Sequence, residues 1–283
     1  MYQEAIEAGG VAVVTGAASG VGRVAALRFA EAGLGVILAD LPGDALDAAV
    51  TEVRGRAREG APVLGQPTDV TQDAEVAALA DMAFANGPVA VLMNNAGIGG
   101  LPTSPWSEME NWQRLLDVNF MGVLRGQSAF LPRMVEANRS AVVINTGSKQ
   151  GITTPPGNPG YNVSKAAVRI LSEQLAHELR RAEAPIAVHL FVPGFTYTGM
   201  IARVMPEKPA AAWTSEQTVD HLLSRMERGD FYILCPDNDV DETRDRRRLE
   251  WAARDVIENR PALSRWHPDF AEAFAAFERM RSD

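Results

Sequence analysis

The chain has 283 residues, 46% of them hydrophobic and 22% charged, which suits one generous α/β domain with a substantial core and argues against disorder. A net charge of −9, from 27 basic and 36 acidic residues, argues against nonspecific binding to nucleic acid or to an anionic membrane. The single cysteine, Cys235, excludes an intramolecular disulfide, and with only four scattered histidines no metal site is expected.

No apolar stretch approaches a membrane span, and the opening MYQEAIEAGG is acidic and too short for a signal peptide, so a cytoplasmic location is expected. Short apolar runs then alternate with longer amphipathic stretches, the pattern of a parallel sheet with crossover helices. Val11–Thr15 reads as a first buried strand, followed by a helix over 20–32, a strand over 35–39 and a polar-faced helix over 44–59. Val63–Pro67 reads as strand three, with a helix over 72–86, a strand over 90–93 and a long helix over 112–138 that Pro132 interrupts near its end. Ala141–Thr146 makes strand five, 161–182 the next helix, Ile186–Val192 strand six and 231–235 strand seven. With no internal repeat or linker, residues 1–236 form one doubly wound catalytic domain with its substrate loops.

Residues 237–283 are charged and helical in pattern, with TRDRRRLEWAARDVIENR and PDFAEAFAAFERMR as two candidate helices. Their aromatics Trp251, Trp266, Phe270, Phe274 and Phe277 need burial, so this extension packs on its own subunit or on a neighbour. The run of arginines at 246–248 is surrounded by Asp241, Glu242, Asp245 and Glu250, and reads as a solvated helix face rather than a nucleic-acid patch.

After the first strand comes Thr15-Gly16-Ala17-Ala18-Ser19-Gly20-Val21-Gly22, opening a helix. Glycines here permit a tight turn and close backbone approach to a pyrophosphate, and the helix N-terminus favours the anion. About twenty residues on, Asp40 ends the second strand, where a carboxylate accepts hydrogen bonds from an adenosine ribose diol and repels a 2′-phosphate. Ser19 and Leu41 offer no cation to hold that phosphate, so NAD is favoured over NADP.

Tyr161 and Lys165 are four residues apart at the start of a helical pattern and share a face. A phenol with an ordinary pKa of about 10 is a poor base at neutral pH, and a neighbouring ammonium lowers that barrier. Ser148 stands in Asn145-Thr146-Gly147-Ser148 after strand five, and Asn119 in Asp117-Val118-Asn119-Phe120-Met121-Gly122. With TGAASGVG, Asp69-Val70, Asn94-Asn95-Ala96-Gly97, Tyr161-Asn162-Val163-Ser164-Lys165 and Pro193-Gly194 in this order, the chain resembles the short-chain dehydrogenase/reductase family over approximately residues 10–235.

The resemblance implies a single Rossmann domain with a seven-stranded parallel sheet flanked by helices, and a helical C-terminal extension. It implies that Asn119, Ser148, Tyr161 and Lys165 are catalytic, with Asn119 supporting a water chain and Lys165 also contacting the nicotinamide ribose. Gly16, Ser19, Gly20, Val21, Gly22, Asp40 and Leu41 would hold the cofactor's pyrophosphate and ribose, and Asp69 and Val70 its adenine. Asn95, Ala96 and Gly97 would line it, Asn94 would stabilise the sheet, and Pro193, Gly194, Thr196 and Thr198 would orient the carboxamide.

Substrate contacts are expected from loops above the strand ends, 97–105, 149–159 and 195–213. Ile98, Gln150, Ile152, Met200 and Met205 are the candidates, and Leu101, Ile201, Val204 and Trp213 add to an apolar character suited to a hydrophobic, aromatic or bulky secondary alcohol or its ketone. Lys149 and Arg203 either meet an anionic substrate or, as the stronger expectation, are exposed. The alternatives are a polyol, sugar or hydroxy-acid dehydrogenase on the same four residues, or a non-catalytic NAD-sensing or scaffold protein. The family's arrangement implies a homodimer or homotetramer through the two long helices.

Overall fold

In a computed structural model describing residues 2–202 and 205–279, the strands form one sheet of seven parallel strands. The chain order is α1 (Tyr2–Glu7), β1 (Val11–Thr15), α2 (Gly20–Glu31), β2 (Gly35–Asp40), α3 (Asp44–Arg54), β3 (Val63–Pro67), α4 (Asp73–Ala85) and β4 (Val89–Asn94). There follow α5 (Met109–Leu116), a π-helical turn (Asp117–Met121), α6 (Gly122–Ala137), β5 (Ala141–Thr146), α7 (Gln150–Thr153), α8 (Pro159–Arg181) and β6 (Ile186–Val192). The chain then runs through α9 (Gly199–Ala202), α10 (Ser215–Glu227), β7 (Tyr232–Leu234), α11 (Glu242–Ile257) and α12 (Ala271–Arg279).

The spatial order is β3-β2-β1-β4-β5-β6-β7, so the sheet reverses direction of growth between β1 and β4. A ligand crevice belongs outside the strands' carboxyl ends at that switch point. Each strand from β1 to β6 other than β3 is buried almost throughout, which is why these segments read as continuous apolar runs rather than alternating ones. Helices cover both faces. Phe29 of α2 and Leu222 of α10 are fully buried in one layer, and Leu79 of α4 and Phe130 of α6 in the other.

Several local expectations change. The helix expected over 44–59 stops at Arg54, where Gly55 follows. Pro132 does not break its helix; it lies within α6, which continues to Ala137 and is capped by Asn138 in the left-handed conformation at φ +46°. Helix α10 was not anticipated, although Thr214 and Gln217 form a reciprocal capping box at its start.

The extension meets the rest of its chain at the turn after β5, where Asp245 pairs with Lys149. Trp251 is buried, with the rings of Phe274 and Phe277 each 5.3 Å from its own, and its indole N–H donates to Ser264 Oγ at 2.7 Å. The arginine run is not a uniformly solvated face: Arg246 is 77% exposed, but Arg247 is buried and the Arg248 side chain is only 15% exposed. Trp266 remains partly open, at 39%.

Candidate active site

The turn after β1 is built by backbone constraint. Gly16 and Gly20 take left-handed φ values of +68° and +55°, and a Cβ on Gly22 would lie 2.2 Å from the Gly16 carbonyl oxygen. Thr15 fixes this turn, its Oγ1 accepting from the backbone N–H groups of Asn95 at 2.9 Å and Ala96 at 3.1 Å. Asn95 does the same from the other side, donating Nδ2 to the Thr15 and Gly16 carbonyls. Thr15 was not singled out from the sequence, since a lone threonine ending a strand carries no signal.

Asp40 ends β2 with one carboxylate oxygen accepting the Ala18 N–H and the other the Leu41 N–H, each at 2.8 Å. This pins the carboxylate against the glycine turn while leaving further lone pairs for hydroxyl donors. Asp69 Oδ1 accepts from the Thr71 backbone and hydroxyl at 2.9 and 2.8 Å. Asn94 donates to Asn145 across the sheet at 2.9 Å and lies outside the cleft.

A cleft of about 1650 Å³ runs over the switch point. Gly16, Ser19, Gly20, Val21, Gly22, Asp40 and Leu41 line it, as do Asp69, Val70, Asn95, Ala96, Gly97, Pro193, Gly194, Thr196 and Thr198. So do Ser148, Tyr161 and Lys165. Thr196 turns its hydroxyl inward, towards Thr218 Oγ1 at 3.0 Å and the Gly194 carbonyl.

Helix α8 begins two residues before Tyr161. Pro159 occupies its first turn, where a missing N–H costs nothing, and the Asn158 side chain accepts from the Tyr161 N–H. That cap fixes Tyr161 and Lys165 on the cleft side. The Tyr161 phenol lies by the Ser148 hydroxyl; burial raises its pKa and the nearby serine opposes the rise only partly. Lys165 is 4% exposed, its ammonium donates to the Thr146 carbonyl at 2.9 Å, and it lies 6.0 Å from the Tyr161 ring centre. Burial lowers the Lys165 pKa from 10.5 to about 8.

Asn119 lies in the π-helical turn, fully buried. Its Oδ1 accepts from the Ile98 N–H at 2.8 Å, and its Nδ2 donates to the Ile98 carbonyl at 3.0 Å and to Ser164 Oγ at 3.1 Å. The side chain thus ties the Gly97–Ile98 wall to α8, directly beneath the cleft.

The substrate candidates divide. Ile98 and Gln150 line the cleft, as do Leu101, Phe195 and Ile201. Ile152 instead packs against Val123, Val168, Leu190 and Val192, because the short α7 turns it towards the core. Met205 lies outside the cleft at 48% exposure, and Trp213 packs against the core. The Met200 side chain, Arg203 and Val204 lie outside the described residues. Lys149 is not exposed: its side chain is 15% accessible and its ammonium lies between Asp237 at 3.4 Å and Asp245 at 2.7 Å. The extension also reaches the cleft, through Asp245, Arg248, Arg265 and Trp266. Nothing in the sequence ties those positions to residue 149. Among the described residues no group of histidine, cysteine, aspartate and glutamate side chains is arranged to hold a metal ion, and no helix is long and apolar enough to cross a membrane.

Comparison with known proteins gives a concordant result. A family model described as short chain dehydrogenase matches residues 10–209. A 1-deoxy-11-beta-hydroxypentalenate dehydrogenase of Streptomyces exfoliatus is 35% identical over 212 residues, 74% of this chain and 75% of that protein. A short-chain dehydrogenase/reductase from Burkholderia phymatum, solved with NAD, aligns with a TM-score of 0.79 and 31% identity over 89% of this chain and 95% of that one. A short-chain dehydrogenase from Sphingobium yanoikuyae, solved with NADPH, aligns at 0.73 and 26% identity over 88% and 96%.

Proposed function

The chain belongs to the short-chain dehydrogenase/reductase family, and from that premise we propose that it interconverts a hydrophobic secondary alcohol and its ketone with NAD(H), Tyr161 moving the proton. It is an oxidoreductase of hydroxyl and ketone substrates. The observation that carries the finer reading is the convergence of the Tyr161 phenol, the Ser148 hydroxyl and the buried Lys165 ammonium on the cleft that also holds the glycine turn and Asp40.

The residues fit a nicotinamide dinucleotide. Gly16, Ser19, Gly20, Val21 and Gly22 open close backbone approach at the α2 N-terminus, where a pyrophosphate would lie. Asp40 would take the adenosine ribose with Leu41 beside it, and Asp69 and Val70 the adenine. Asn95, Ala96 and Gly97 would form the middle wall, with Pro193, Gly194, Thr196 and Thr198 at the nicotinamide end. The pinned Asp40 carboxylate favours NAD over NADP, because a 2′-phosphate would meet like charge there. When bound, the dinucleotide supplies or accepts the hydride at the substrate's carbinol carbon.

In the oxidative direction, Tyr161 as phenolate accepts the alcohol proton while Ser148 donates a hydrogen bond to the same oxygen. In reduction Tyr161 returns the proton. Burial makes the phenol a weaker acid, and in this reading the Lys165 ammonium, 6.0 Å from the ring centre, supplies the offsetting charge. Asn119 holds Ile98 and Ser164, keeping the wall beside Lys165 in place.

The apolar lining by Ile98, Leu101, Phe195 and Ile201 supports a hydrophobic substrate over a polyol or sugar. By its name, the Streptomyces relative acts on a hydroxylated organic acid. The Tyr161 phenol and Ser148 hydroxyl facing one cleft beside the buried Lys165 are more than dinucleotide binding alone needs, which favours the enzyme. A panel of aromatic, aliphatic and polyol alcohols, assayed with NAD and with NADP, tests this reading. It is upheld by turnover of apolar secondary alcohols with NAD preferred, and overturned by preference for polyols or by no turnover of any alcohol.

A further inference from the structure

We propose that Arg265, with Arg248 beside it, forms a carboxylate-binding subsite in the substrate cleft, so that the preferred alcohol or ketone is the apolar body of an organic acid. The inference rests on the oxidoreductase reading of the Tyr161 cleft and names its substrate class.

Charge accounting around the extension carries it. Lys149 is held by Asp237 and Asp245. Glu278 takes Arg244 at 2.8 Å and the Nε of Arg248 at 3.4 Å. Arg265 is left over: among the described residues it has no ion pair and no hydrogen bond to a carboxylate. Aromatic faces hold it instead, with its guanidinium 4.6 Å from the Trp266 ring centre and 5.2 Å from that of Phe274. Such stacking orients the planar fork without neutralising it.

A half-buried guanidinium with no carboxylate at ion-pair distance among the described residues is unfavourable by itself. Burial first, and the Arg248 charge second, lower its pKa to about 10, so it stays cationic at neutral pH. Among the described residues that line this wall, Lys149, Arg248 and Arg265 stand against Asp237 and Asp245, which leaves one positive charge. One unit matches a carboxylate, whose two oxygens suit the guanidinium fork. A phosphate dianion would leave excess negative charge beside Asp237 and Asp245. Arg248, Arg265 and Trp266 share the cleft with Ser148 and Tyr161, so one molecule can present its oxygen to Tyr161 and its carboxylate to Arg265.

The experiment uses the full chain with NADH and aryl and alicyclic keto carboxylates of graded spacer length, each beside its methyl ester. For the matching spacer the acid should exceed its ester in kcat/KM by about tenfold or more. Arg265→Met should raise KM for the acid about 10- to 100-fold with kcat little changed. The loss should spare the ester, and Arg265→Lys should fall between. Equal use of acid and ester, a parallel loss on both in Arg265→Met, or a loss of NADH affinity would overturn the subsite. Calorimetric titration of the acids into the NADH complex separates the two readings. If no ketone is reduced, the substrate reading of the cleft fails, yet acid binding that vanishes in Arg265→Met still upholds the subsite. Acid binding indifferent to Arg265, or no acid binding at all, overturns it.

Discussion

The Lys149 ammonium lies 2.7 Å from the Asp245 carboxylate, joining the residue after Ser148 to the first turns of α11. Both side chains are largely buried, and burial raises the Asp245 pKa against the pull of Lys149. The C-terminal extension is thereby fastened to the turn that carries a candidate catalytic hydroxyl.

Breaking that pair leaves Lys149 buried with Asp237 alone, 3.4 Å away. Asp245→Leu should cost about 2 kcal/mol, less than a wholly unpaired buried charge, or roughly 4 °C in Tm for a chain of this size. Lys149→Met combined with Asp245→Leu should recover part of that loss, because the apolar pair removes two desolvation penalties while Asp237 keeps the Phe195 and Val240 N–H donors. Thermal unfolding of the two single variants and the double variant reads the coupling. Additive losses would show that the pair does not fasten the extension.

Lys165 makes stability depend on pH. Its folded pKa of about 8 lies below its ordinary 10.5, so between those values the unfolded chain binds more protons. Stability therefore rises with pH across that window, and the full penalty of the buried charge, about 3 kcal/mol, applies below it. Lys165→Met removes this dependence while abolishing turnover. The Tm difference between wild type and variant should shift in favour of wild type as pH climbs from about 8 towards about 10, measured without cofactor. A constant difference would mean that the lysine is not desolvated.

Asp40→Ala should weaken NADH binding by about tenfold, the loss of a charged hydrogen-bond acceptor, and weaken NADPH binding less. NADH and NADPH fluorescence titrations check it. The Ala18 and Leu41 amides lose their partner too, so a uniform loss for both dinucleotides would assign Asp40 to holding the turn alone.

Gly22→Ala would place a methyl group 2.2 Å from the Gly16 carbonyl oxygen, forcing the turn open. Dinucleotide affinity should fall by more than about tenfold, with a smaller change in Tm than the Asp245 variant shows. Equilibrium binding beside thermal unfolding separates the effects.

What was legible in the sequence was local. Strands β1, β3, β5 and β6 announced themselves as short apolar runs, and the glycine turn, Asp40 and the Tyr161–Lys165 spacing followed from adjacent residues. The π-helical turn at Asn119 was not legible, since its wide geometry is set by packing against Ile98 and Ser164. Ile152 looked like a pocket residue by composition, but the direction of a side chain on a four-residue helix depends on contacts far along the chain. Lys149 and Arg248 looked exposed because their partners, Asp245 and Glu278, lie 96 and 30 positions away respectively. Helix α10 was the avoidable miss, for Thr214 and Gln217 carry its start signal.

The most direct test of the central claim is Tyr161→Phe assayed on the best alcohol of the panel, with NADH binding titrated on the same preparation. The phenylalanine keeps the ring and the fold and removes only the hydroxyl that meets Ser148. Turnover should fall by at least about a thousandfold, in keeping with loss of a general acid/base, while NADH affinity stays within about twofold. Near-normal turnover, with NADH still bound, would contradict the assignment of Tyr161 as the proton-transfer residue.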